Sequence, residues 1–457
     1  MPLKDALTIG LTGSFGSGCS TLMQVLVTGK FEGKNKVLGF RGFSLSQFVK
    51  DKWLEQNWSK FNPNKPLESA TKEERENTLK KAKRSELQDV GNEIRKYRHS
   101  YDKLARLAVE KAYRETSGIE DISLVFDSVR NTAEIKTLKE KFRNFYLIAV
   151  DCDRGQRWSR VRDIYERNGQ SETDFDRDDE RDRGEDVPYG QQVELCVDEA
   201  DIMVKNDEAY SERASRMGKL QEKIEPYITL LSGRTSRTPE HDEFFMSLAY
   251  TASLNSKCFK RQVGAIVVDK DRNVLSVGYN ENLQPHQPCV VNPGDCQRDI
   301  YKREYFQKLK EDRTAVCPNP DCKKPLDYTA EFKCEKCNYE LDAYFIPDKA
   351  LSRCTALHAE ARALKTLRRN ELHEGSVLYT TASPCLTCAV EIANAGIKEV
   401  VYSEAYTDTK ALEFLKREDV STRKFQGVKA HAYFKMFSSW RMEKEKEIKG
   451  RVDRFKP

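Results

Sequence analysis

Two short segments near the end of the chain place strict demands on its fold. One is H-A-E, from His358 to Glu360, and the other is P-C-L-T-C, from Pro384 to Cys388. An imidazole and two thiolates suit zinc, and a catalytic zinc ion usually keeps three protein ligands and leaves its fourth position to water. We therefore expect the fold to bring His358, Cys385 and Cys388 around one zinc ion, with Glu360 as a spare carboxylate beside it.

This combination of ligands and carboxylate indicates a reaction. Zinc lowers the pKa of a bound water toward neutrality and so supplies a nucleophile at physiological pH. Glu360 can then carry the proton of that water to a leaving amine. H-x-E followed by P-C-x-x-C is the signature of zinc-dependent nucleobase deaminases. The alternative is a structural zinc knuckle with an incidental H-A-E.

The whole chain has the composition of a charge-rich globular protein. Its 457 residues exceed one ordinary core, so we expect two or three domains. The net charge of +5 argues against a histone-like polycation. No apolar run approaches the roughly 20 residues of a membrane span, and the N-terminus lacks a signal-peptide layout. Thirteen cysteines, several in C-x-x-C pairs, indicate metal ligation in a reducing compartment, so we expect a cytoplasmic protein with no membrane partner.

The N-terminal segment has the layout of a phosphate-binding loop. An apolar run from Leu7 to Thr12 precedes a glycine-rich turn, and apolar residues of a buried helix follow. The spacing G-x-x-x-x-G-K-[ST] is matched except that cysteine replaces lysine. The candidate nucleotide-binding residues are Gly13, Ser14, Gly16, Ser17, Gly18, Cys19, Ser20 and Thr21. Without the lysine we expect phosphate binding but inefficient phosphoryl transfer; a glycine-rich turn with no ligand is the alternative.

Further segments in the first half fit a parallel α/β sheet. Ser123 to Asp127 reads as a strand ending in an acid that could accompany magnesium, and more strands are expected at 145–151 and 200–207. With the segment 86–95, this half resembles nucleoside-monophosphate-kinase-like P-loop proteins over roughly residues 7 to 230. We expect a lid or an exposed loop from Ser171 to Asp186, because it is almost wholly acidic and arginine-rich.

A polar segment from Ser232 to Pro239 separates the two halves. We predict a P-loop kinase-like, regulatory domain at 1–232 and a second domain at 233–457. In the second domain, strands are expected at 261–269, 274–280, 377–381 and 399–403, with helices at 240–252, 355–368 and 388–395.

The second domain resembles deoxycytidylate deaminases. The resemblance is carried by Ser256 to Gly264, Gly278 to Asn280 and Ala395 to Ile397, together with the two zinc segments. It implies a three-layer α/β/α cytidine-deaminase-like fold, zinc held by the histidine and two cysteines, and proton transfer by the glutamate. It also implies that Asn280 contacts the deoxyribose 3′-hydroxyl, that the backbone at Ser383 reads the amino group, and that Arg261 belongs to the substrate site.

The chain departs from that family's pattern at two positions. Arg362 stands where members often have asparagine, and Glu281 stands where glycine usually follows Gly-Tyr-Asn.

A second cysteine group lies in an insertion at 312–342. Cys317 and Cys322 form one pair and Cys334 and Cys337 another, which is the pattern of a closed, four-thiolate structural zinc site. Because the insertion is polar, metal binding would supply its folding free energy. Free surface thiols are the alternative. A further set, Cys289, Cys296 and Cys354, perhaps with His286, forms either another metal site or scattered buried cysteines.

Together these features predict hydrolytic deamination of dCTP, dCMP or both. The fusion to a P-loop domain resembles bacterial anti-phage deaminases, which implies depletion of the dCTP pool as antiviral defence. Two alternatives remain: a cytosine deaminase acting on RNA or single-stranded DNA, and a nucleotide-sensing P-loop regulator with deaminase output. We expect a homo-oligomer, a regulatory nucleotide or nucleic acid as partner, and nucleotide with Mg²⁺ at the P-loop.

Overall fold

The computed structural model divides the chain into two compact units. The first comprises Met1–Glu243 and Gln426–Pro457, and the second comprises Phe244–Phe425. The structure describes residues 3–32, 37–119, 121–185, 187–208, 213–233, 237–258, 260–282, 296–312, 315–319, 322–329, 332–337, 339, 341–346, 353–367, 375–404 and 410–437.

The first unit is built on a seven-stranded sheet. Its strands are β1 (Thr8–Thr12), β2 (Phe31–Glu32), β3 (Val37–Ser44), β4 (Ile122–Asp127), β5 (Phe145–Asp151), β6 (Ile202–Lys205) and β14 (Gly427–Val428). The spatial order is β14-β6-β5-β1-β4-β3-β2, and the five central strands are parallel. The parallel α/β sheet predicted for this half is therefore present. Its likeness to nucleoside-monophosphate kinases stays a prediction.

Helices cover both faces of this sheet. They are α1 (Cys19–Thr28), α2 (Leu45–Phe61), α3 (Lys72–Leu79), α4 (Arg84–Lys96), α5 (Lys103–Glu115), α6 (Thr132–Lys141), α7 (Arg154–Arg167), α8 (Glu172–Arg183), α9 (Val193–Asp198) and α10 (Arg213–Leu231). Successive strand residues point to opposite faces, so Leu147 packs in the core formed with α2 and α5, whereas Ile148 packs with α1 and α10.

The acidic segment from Ser171 differs from the expected exposed loop. It forms α8, and Asp178, Asp179 and Asp182 on this helix are buried. Each of the three carboxylates has a partner from another helix, which compensates the cost of burial. The sequence pattern showed the charges of this segment but not their distant partners, so the prediction of an exposed loop was wrong.

The first unit is completed by residues from the far end of the chain. β14 pairs antiparallel with β6, and residues 430–437 are helical. Glu243, only 1% exposed, accepts hydrogen bonds from the guanidinium of Arg237 and from the backbone N–H of Val428. The two points at which the chain leaves and re-enters this unit are thus bonded to each other. The observed division differs from our boundary at 232, because residues 426–437 pack on the first sheet.

The second unit contains a five-stranded mixed sheet. Its strands are β7 (Gly264–Val268), β8 (Val274–Tyr279), β11 (Val377–Ala382), β12 (Glu399–Glu404) and β13 (Ser421–Lys424), in the order β13-β12-β11-β7-β8. A separate two-stranded sheet pairs β9 (Glu281–Asn282) with β10 (Ala356–Leu357). The helices are α11 (His241–Ser253), α12 (Gln297–Glu311), α13 (Leu341–Phe345), α14 (Ala359–Thr366), α15 (Leu386–Asn394) and α16 (Lys410–Arg417).

This mixed sheet also has helices on both faces. Ala265 and Val267 of β7 pack with α14, α15 and α16, whereas Ile266 and Val268 pack with α11. The result is the predicted three-layer arrangement. In the described part of the chain, no helix is long and apolar enough to cross a membrane.

The helix that carries the first zinc segment begins later than predicted. Ala356 and Leu357 form β10, and α14 begins at Ala359, with His358 as its N-cap residue. Its close approach to the sheet depends on Gly278 in β8. A Cβ atom there would lie 2.1 Å from the carbonyl oxygen of Ala359 and 2.6 Å from the nitrogen of Ala363. Glycine at this position therefore allows α14 to pack close against the sheet.

Candidate functional sites

Two helix N-termini bring the first set of metal ligands together. His358 is the N-cap of α14, Cys385 is the N-cap of α15, and Cys388 lies in the first turn of α15. β11 ends at Ala382, so Ser383 and Pro384 lead directly into this turn. Because helix N-termini carry partial positive charge, this placement favours ionised cysteines.

The three donor groups have spacings that suit zinc. His358 Nδ1 lies 3.4 Å from Cys385 Sγ and 3.4 Å from Cys388 Sγ, and all three ligand atoms lie within 4.8 Å of one another. Tetrahedral zinc with ordinary bond lengths holds its ligand atoms roughly 3.5 Å apart. The hydrogen bond from the Cys388 thiol lowers the pKa of Cys385 and raises that of Cys388, so Cys385 is the more readily ionised of the two.

Glu360 is a buried carboxyl beside these ligands. It is 4% exposed, and its Oε1 accepts a hydrogen bond of 3.3 Å from Thr380 Oγ1. It is outside the three-ligand group. Burial raises the pKa of Glu360. The arrangement therefore places a buried carboxyl beside the three candidate metal ligands and outside their group.

One pocket joins these residues to the predicted substrate contacts. Arg261, Asn280 and Ser383 line the same pocket as His358 and Glu360. Asn280 Oδ1 accepts a hydrogen bond from the backbone N–H of Val263, and Nδ2 donates one to the carbonyl of Arg261. The side-chain amide of Asn280 is therefore fixed to the backbone at the pocket wall. Since Nδ2 carries two N–H groups, one remains for a ligand.

The pocket also contains residues that the sequence did not assign to it. Lys260, Arg298 and Cys354 line it. Burial opposes ionisation of the Cys354 thiol, but hydrogen bonds with His358 and with the backbone of Ala356, together with the charges of His358 and Arg298, outweigh burial and lower the pKa of Cys354. Cys354 is thus a hydrogen-bonded neighbour of His358. Lys260 and Arg298 were visible in the sequence as basic residues, but their distance from His358 along the chain hid their place in this pocket.

The second cysteine group is also assembled. The ligand atoms of Cys317, Cys322, Cys334 and Cys337 lie within 4.8 Å of one another. They are surrounded by a small apolar cluster that includes Phe306 of α12, whose ring lies 4.7 Å from that of Phe332.

Of the remaining candidate cysteines, none in the described part of the chain is a member of these two groups. Cys296 and Cys354 belong to neither metal-ligand set found among the described residues. Cys289 and His286 lie outside the described residues.

The glycine-rich segment of the first unit connects β1 to α1, as predicted. Gly13, Gly16 and Gly18 all have positive φ, which favours glycine. Ser20 Oγ donates to Asp127 Oδ2 at 2.7 Å, so the hydroxyl and the acid at the end of β4 meet. Burial raises the pKa of the Cys19 thiol to about 12, so the residue that replaces lysine is uncharged.

The other predicted loop residues lie in the same turn. The carbonyl of Ser14 accepts from the N–H of Ser17, and Ser17 Oγ lies 3.5 Å from Cys19 Sγ. Thr21 lies in the first turn of α1.

Comparison with known proteins identifies relatives of the second unit. Residues 239–404 match the family described as "Cytidine and deoxycytidylate deaminase zinc-binding region". The deoxycytidylate deaminase of Mycobacterium phage D29 is 31% identical over 164 residues, which are 36% of this chain and 94% of that protein. The deoxycytidylate deaminase of Saccharomyces cerevisiae is 30% identical over 188 residues, covering 41% of this chain and 45% of that protein. The chain thus spans less than half the length of the yeast relative.

A solved structure is similar as well. The dCMP deaminase of cyanophage S-TIM5 in its apo form is 25% identical, with coverage of 41% of this chain and 100% of that chain and a TM-score of 0.24.

Proposed function

Because the chain belongs to the deoxycytidylate deaminase family, we propose that it hydrolyses the amino group from the cytosine of a deoxycytidine nucleotide, dCMP or dCTP. One observation carries this proposal. A buried carboxyl, Glu360, stands beside three zinc-type ligands without belonging to their group. A purely structural zinc site has no need of such a group, and burying it costs free energy.

The residues divide the work of the reaction. A zinc ion held by His358, Cys385 and Cys388 would supply an acidic water as nucleophile. Glu360 accepts one proton from the water and delivers it to N3 of cytosine, and then carries the proton of the new C4 hydroxyl to the amino group. Water thus adds at C4, the bond from C4 to the exocyclic nitrogen breaks, and ammonia leaves. Thr380 holds the carboxyl in place through its hydroxyl.

The charge of the pocket supports an anionic substrate. Lys260, Arg261 and Arg298 line it. Arg261 forms an ion pair with Glu404 and Lys260 forms one with Asp299, which orient the two cations. Such a wall fits the phosphate of a nucleotide better than it fits a free base.

A substrate panel tests the proposal. The purified full chain is incubated with dCMP, dCTP, CTP and single-stranded DNA, and released ammonia is measured. We expect ammonia from dCMP, dCTP or both. Ammonia from single-stranded DNA alone would favour the alternative of a polynucleotide deaminase, and none from any substrate would contradict deamination.

We also propose that the four-cysteine group holds a structural zinc ion. The four sulfurs are close enough to share one metal, and Cys317 and Cys334 are at most 1% exposed. Four thiolates form a closed site with no position left for water.

A second candidate function concerns the first unit. We propose that its glycine-rich loop binds the phosphate of a regulatory nucleotide, with Ser20 and Asp127 placed to accompany Mg²⁺. The positive φ values of the loop and the bond between Ser20 and Asp127 support this. The neutral Cys19 favours binding over phosphoryl transfer.

Two wider proposals follow from the resemblance of the two-part chain to anti-phage deaminases. We propose that the activity depletes dCTP during phage infection, which is tested by measuring dCTP in infected cells that carry the wild type or Glu360→Gln. The expected homo-oligomer stays a prediction, and light scattering of the purified chain would measure its mass.

A further inference from the structure

Two arginines of the first unit share one buried carboxylate. Arg84 NH2 lies 2.9 and 2.8 Å from the two carboxylate oxygens of Asp182, and Arg130 NH1 lies 2.7 Å from Oδ2. The Asp182 side chain is 1% exposed and those of both arginines are 15% exposed. Among the described residues, Asp182 is the one carboxylate within ion-pair distance of either arginine.

This sharing leaves hydrogen-bonding capacity unused. A guanidinium has five N–H donors, and the bonds to Asp182 use few of them. Arg84 Nε is buried and has no hydrogen-bond partner. Burial opposes ionisation of Asp182, but Arg130 and Arg84 outweigh it and hold its pKa well below the ordinary value. Two cations therefore face one anion in a place that is mostly closed to water, an arrangement suited to a second anion.

The two arginines lie at the glycine-rich loop. The guanidinium carbon of Arg84 lies 4.7 Å from the ring centroid of Phe15 in that loop. Arg130 follows β4 directly, and the N–H of its neighbour Val129 donates to the carbonyl of Leu11 at the end of β1. The charge of Arg130 acts on the Cys19 thiol, where it favours the ionised form.

The loop itself is oriented for an anion. Arg157 donates to the carbonyl of Phe15, Arg160 to those of Gly16 and Ser17, and Asn206 to that of Ser17. With these carbonyls occupied, the first turn of α1 begins at Gly18 with no side-chain cap on its N–H groups. Uncapped N–H groups at a helix N-terminus are donors for phosphate.

A buried unpartnered atom marks the same place. Asp127 is 1% exposed; its Oδ2 accepts from Ser20, whereas its Oδ1 has no hydrogen-bond partner. A carboxylate oxygen left open beside a serine hydroxyl suits the divalent cation that accompanies a nucleotide phosphate.

We propose that Arg84 and Arg130 supply the positive charge that this loop lacks at Cys19. Together with the N-terminus of α1, they bind the phosphate chain of a nucleotide, and Asp182 positions the two guanidinium groups. This inference rests on the proposal that the loop binds phosphate, and it adds which residues replace the missing lysine.

Calorimetric titration of the purified full chain with ATP, and separately with inorganic pyrophosphate, in Mg²⁺ buffer tests the inference. A purine nucleotide is used so that the cytosine pocket of the second unit does not contribute. Arg130→Gln should weaken ATP binding at least about tenfold, since it removes charge-assisted bonds worth more than one ordinary hydrogen bond. Arg143→Gln, which removes an exposed arginine bonded to Asp5, should leave binding unchanged.

A second experiment distinguishes a role of Arg130 in supplying positive charge to the ligand from a role in holding the fold. Adding Cys19→Lys to Arg130→Gln returns a cation to the loop and should recover most of the lost affinity. Circular dichroism of each variant checks that the first unit is folded.

The outcomes distinguish the two levels of the proposal. If wild type binds neither ATP nor pyrophosphate, both the loop proposal and the arginine inference are wrong. If wild type binds and Arg130→Gln binds equally well, only the arginine inference is overturned. Binding of pyrophosphate with the same arginine dependence supports recognition of the phosphate chain, and neither result depends on whether the second unit deaminates cytosine.

Discussion

Arg362 and Glu281 are bonded to each other: Arg362 NH1 lies 2.8 Å from Glu281 Oε2. Both residues depart from the pattern that the resemblance to deoxycytidylate deaminases implies, and in the structure they form a pair. The guanidinium carbon of Arg362 also lies 4.0 Å from the ring centroid of Tyr279. The pair connects β9, which follows Asn280, to α14, which carries Glu360.

This pairing predicts non-additive substitutions. Arg362→Gln and Glu281→Gln should each lower the unfolding free energy of the second unit, and the double variant should lose less than their sum. We expect a coupling of about 1 kcal/mol, as for neighbours in one ion pair that is partly open to solvent. Urea unfolding of the four proteins measures it; strictly additive losses would show that the two residues act independently.

Glu360→Gln should abolish deamination without removing zinc. The amide keeps the shape of the carboxyl but cannot accept and deliver the proton, so we expect a loss of at least about a hundredfold in kcat. Ammonia release and zinc content are both measured. Glu413→Gln on the exposed face of α16 is the matched control. Retained activity in Glu360→Gln would disprove the assigned role.

Cys334→Ser should lower the zinc content from two ions per chain to one. Cys334 is fully buried among the four thiols, and a hydroxyl is a poor zinc ligand. The catalytic ligands belong to a different group, so their zinc should remain. Cys196→Ala, a buried cysteine of the first unit, controls for the loss of any thiol. A wild-type content of one zinc per chain would mean that the four cysteines hold none.

Asp182→Asn should destabilise the first unit in a pH-dependent way. The folded-state pKa of Asp182 is lowered, so its ionised form stabilises the fold above its unfolded pKa, and that stability is lost as the pH falls through the folded value. At neutral pH we expect a loss of about 3–5 kcal/mol, because two buried arginines lose their anion.

The difference in unfolding free energy between wild type and Asp182→Asn should become smaller at acidic pH. Asp176→Asn on the same helix is the control, because this exposed ion pair is worth less than about 1 kcal/mol. Denaturant unfolding at neutral and acidic pH measures both variants. An equal loss at every pH would contradict the electrostatic explanation.

Gly278→Ala should displace α14. The added carbon would meet backbone atoms of Ala359 and Ala363, which cannot rotate away. We expect a loss of about 1–3 kcal/mol in unfolding free energy, together with weaker zinc retention, since His358 caps this helix. Gly39→Ala in β3, where no atom lies within 4 Å of the new carbon, is the control. Unchanged zinc retention in Gly278→Ala would show that α14 tolerates the shift.

The grouping of His358, Cys385 and Cys388 was predictable because residue type and local spacing carry the information. Cys385 and Cys388 are neighbours on one helical turn, and their pairing with His358 follows a pattern visible in the chain. The four cysteines of the insertion were predictable for the same reason. Arg298 was not assigned to the pocket, because no local pattern connects it to His358. Cys354, only four residues before His358, was grouped instead with Cys289 and Cys296 as a possible separate metal site.

The acidic segment shows where sequence patterns mislead. Its charges predict a solvated surface, yet Asp179 binds Arg157 and Asp182 binds Arg84 and Arg130. The sequence of a segment shows its charged residues. Whether those residues are buried depends on oppositely charged partners that lie far away along the chain. Likewise, the two residues of β14 are too short a signal to reveal the sheet they join.

The bond between Glu243 and Val428 has a consequence for how the molecule is made. Since the chain leaves the first unit after Glu243 and returns at Gln426, the whole second unit is inserted within the first. Synthesis from the N-terminus therefore produces the edge strand β14 last, and β6 must wait for its neighbour until the inserted unit has emerged. A fragment cut at residue 232 would keep that edge open and invite association.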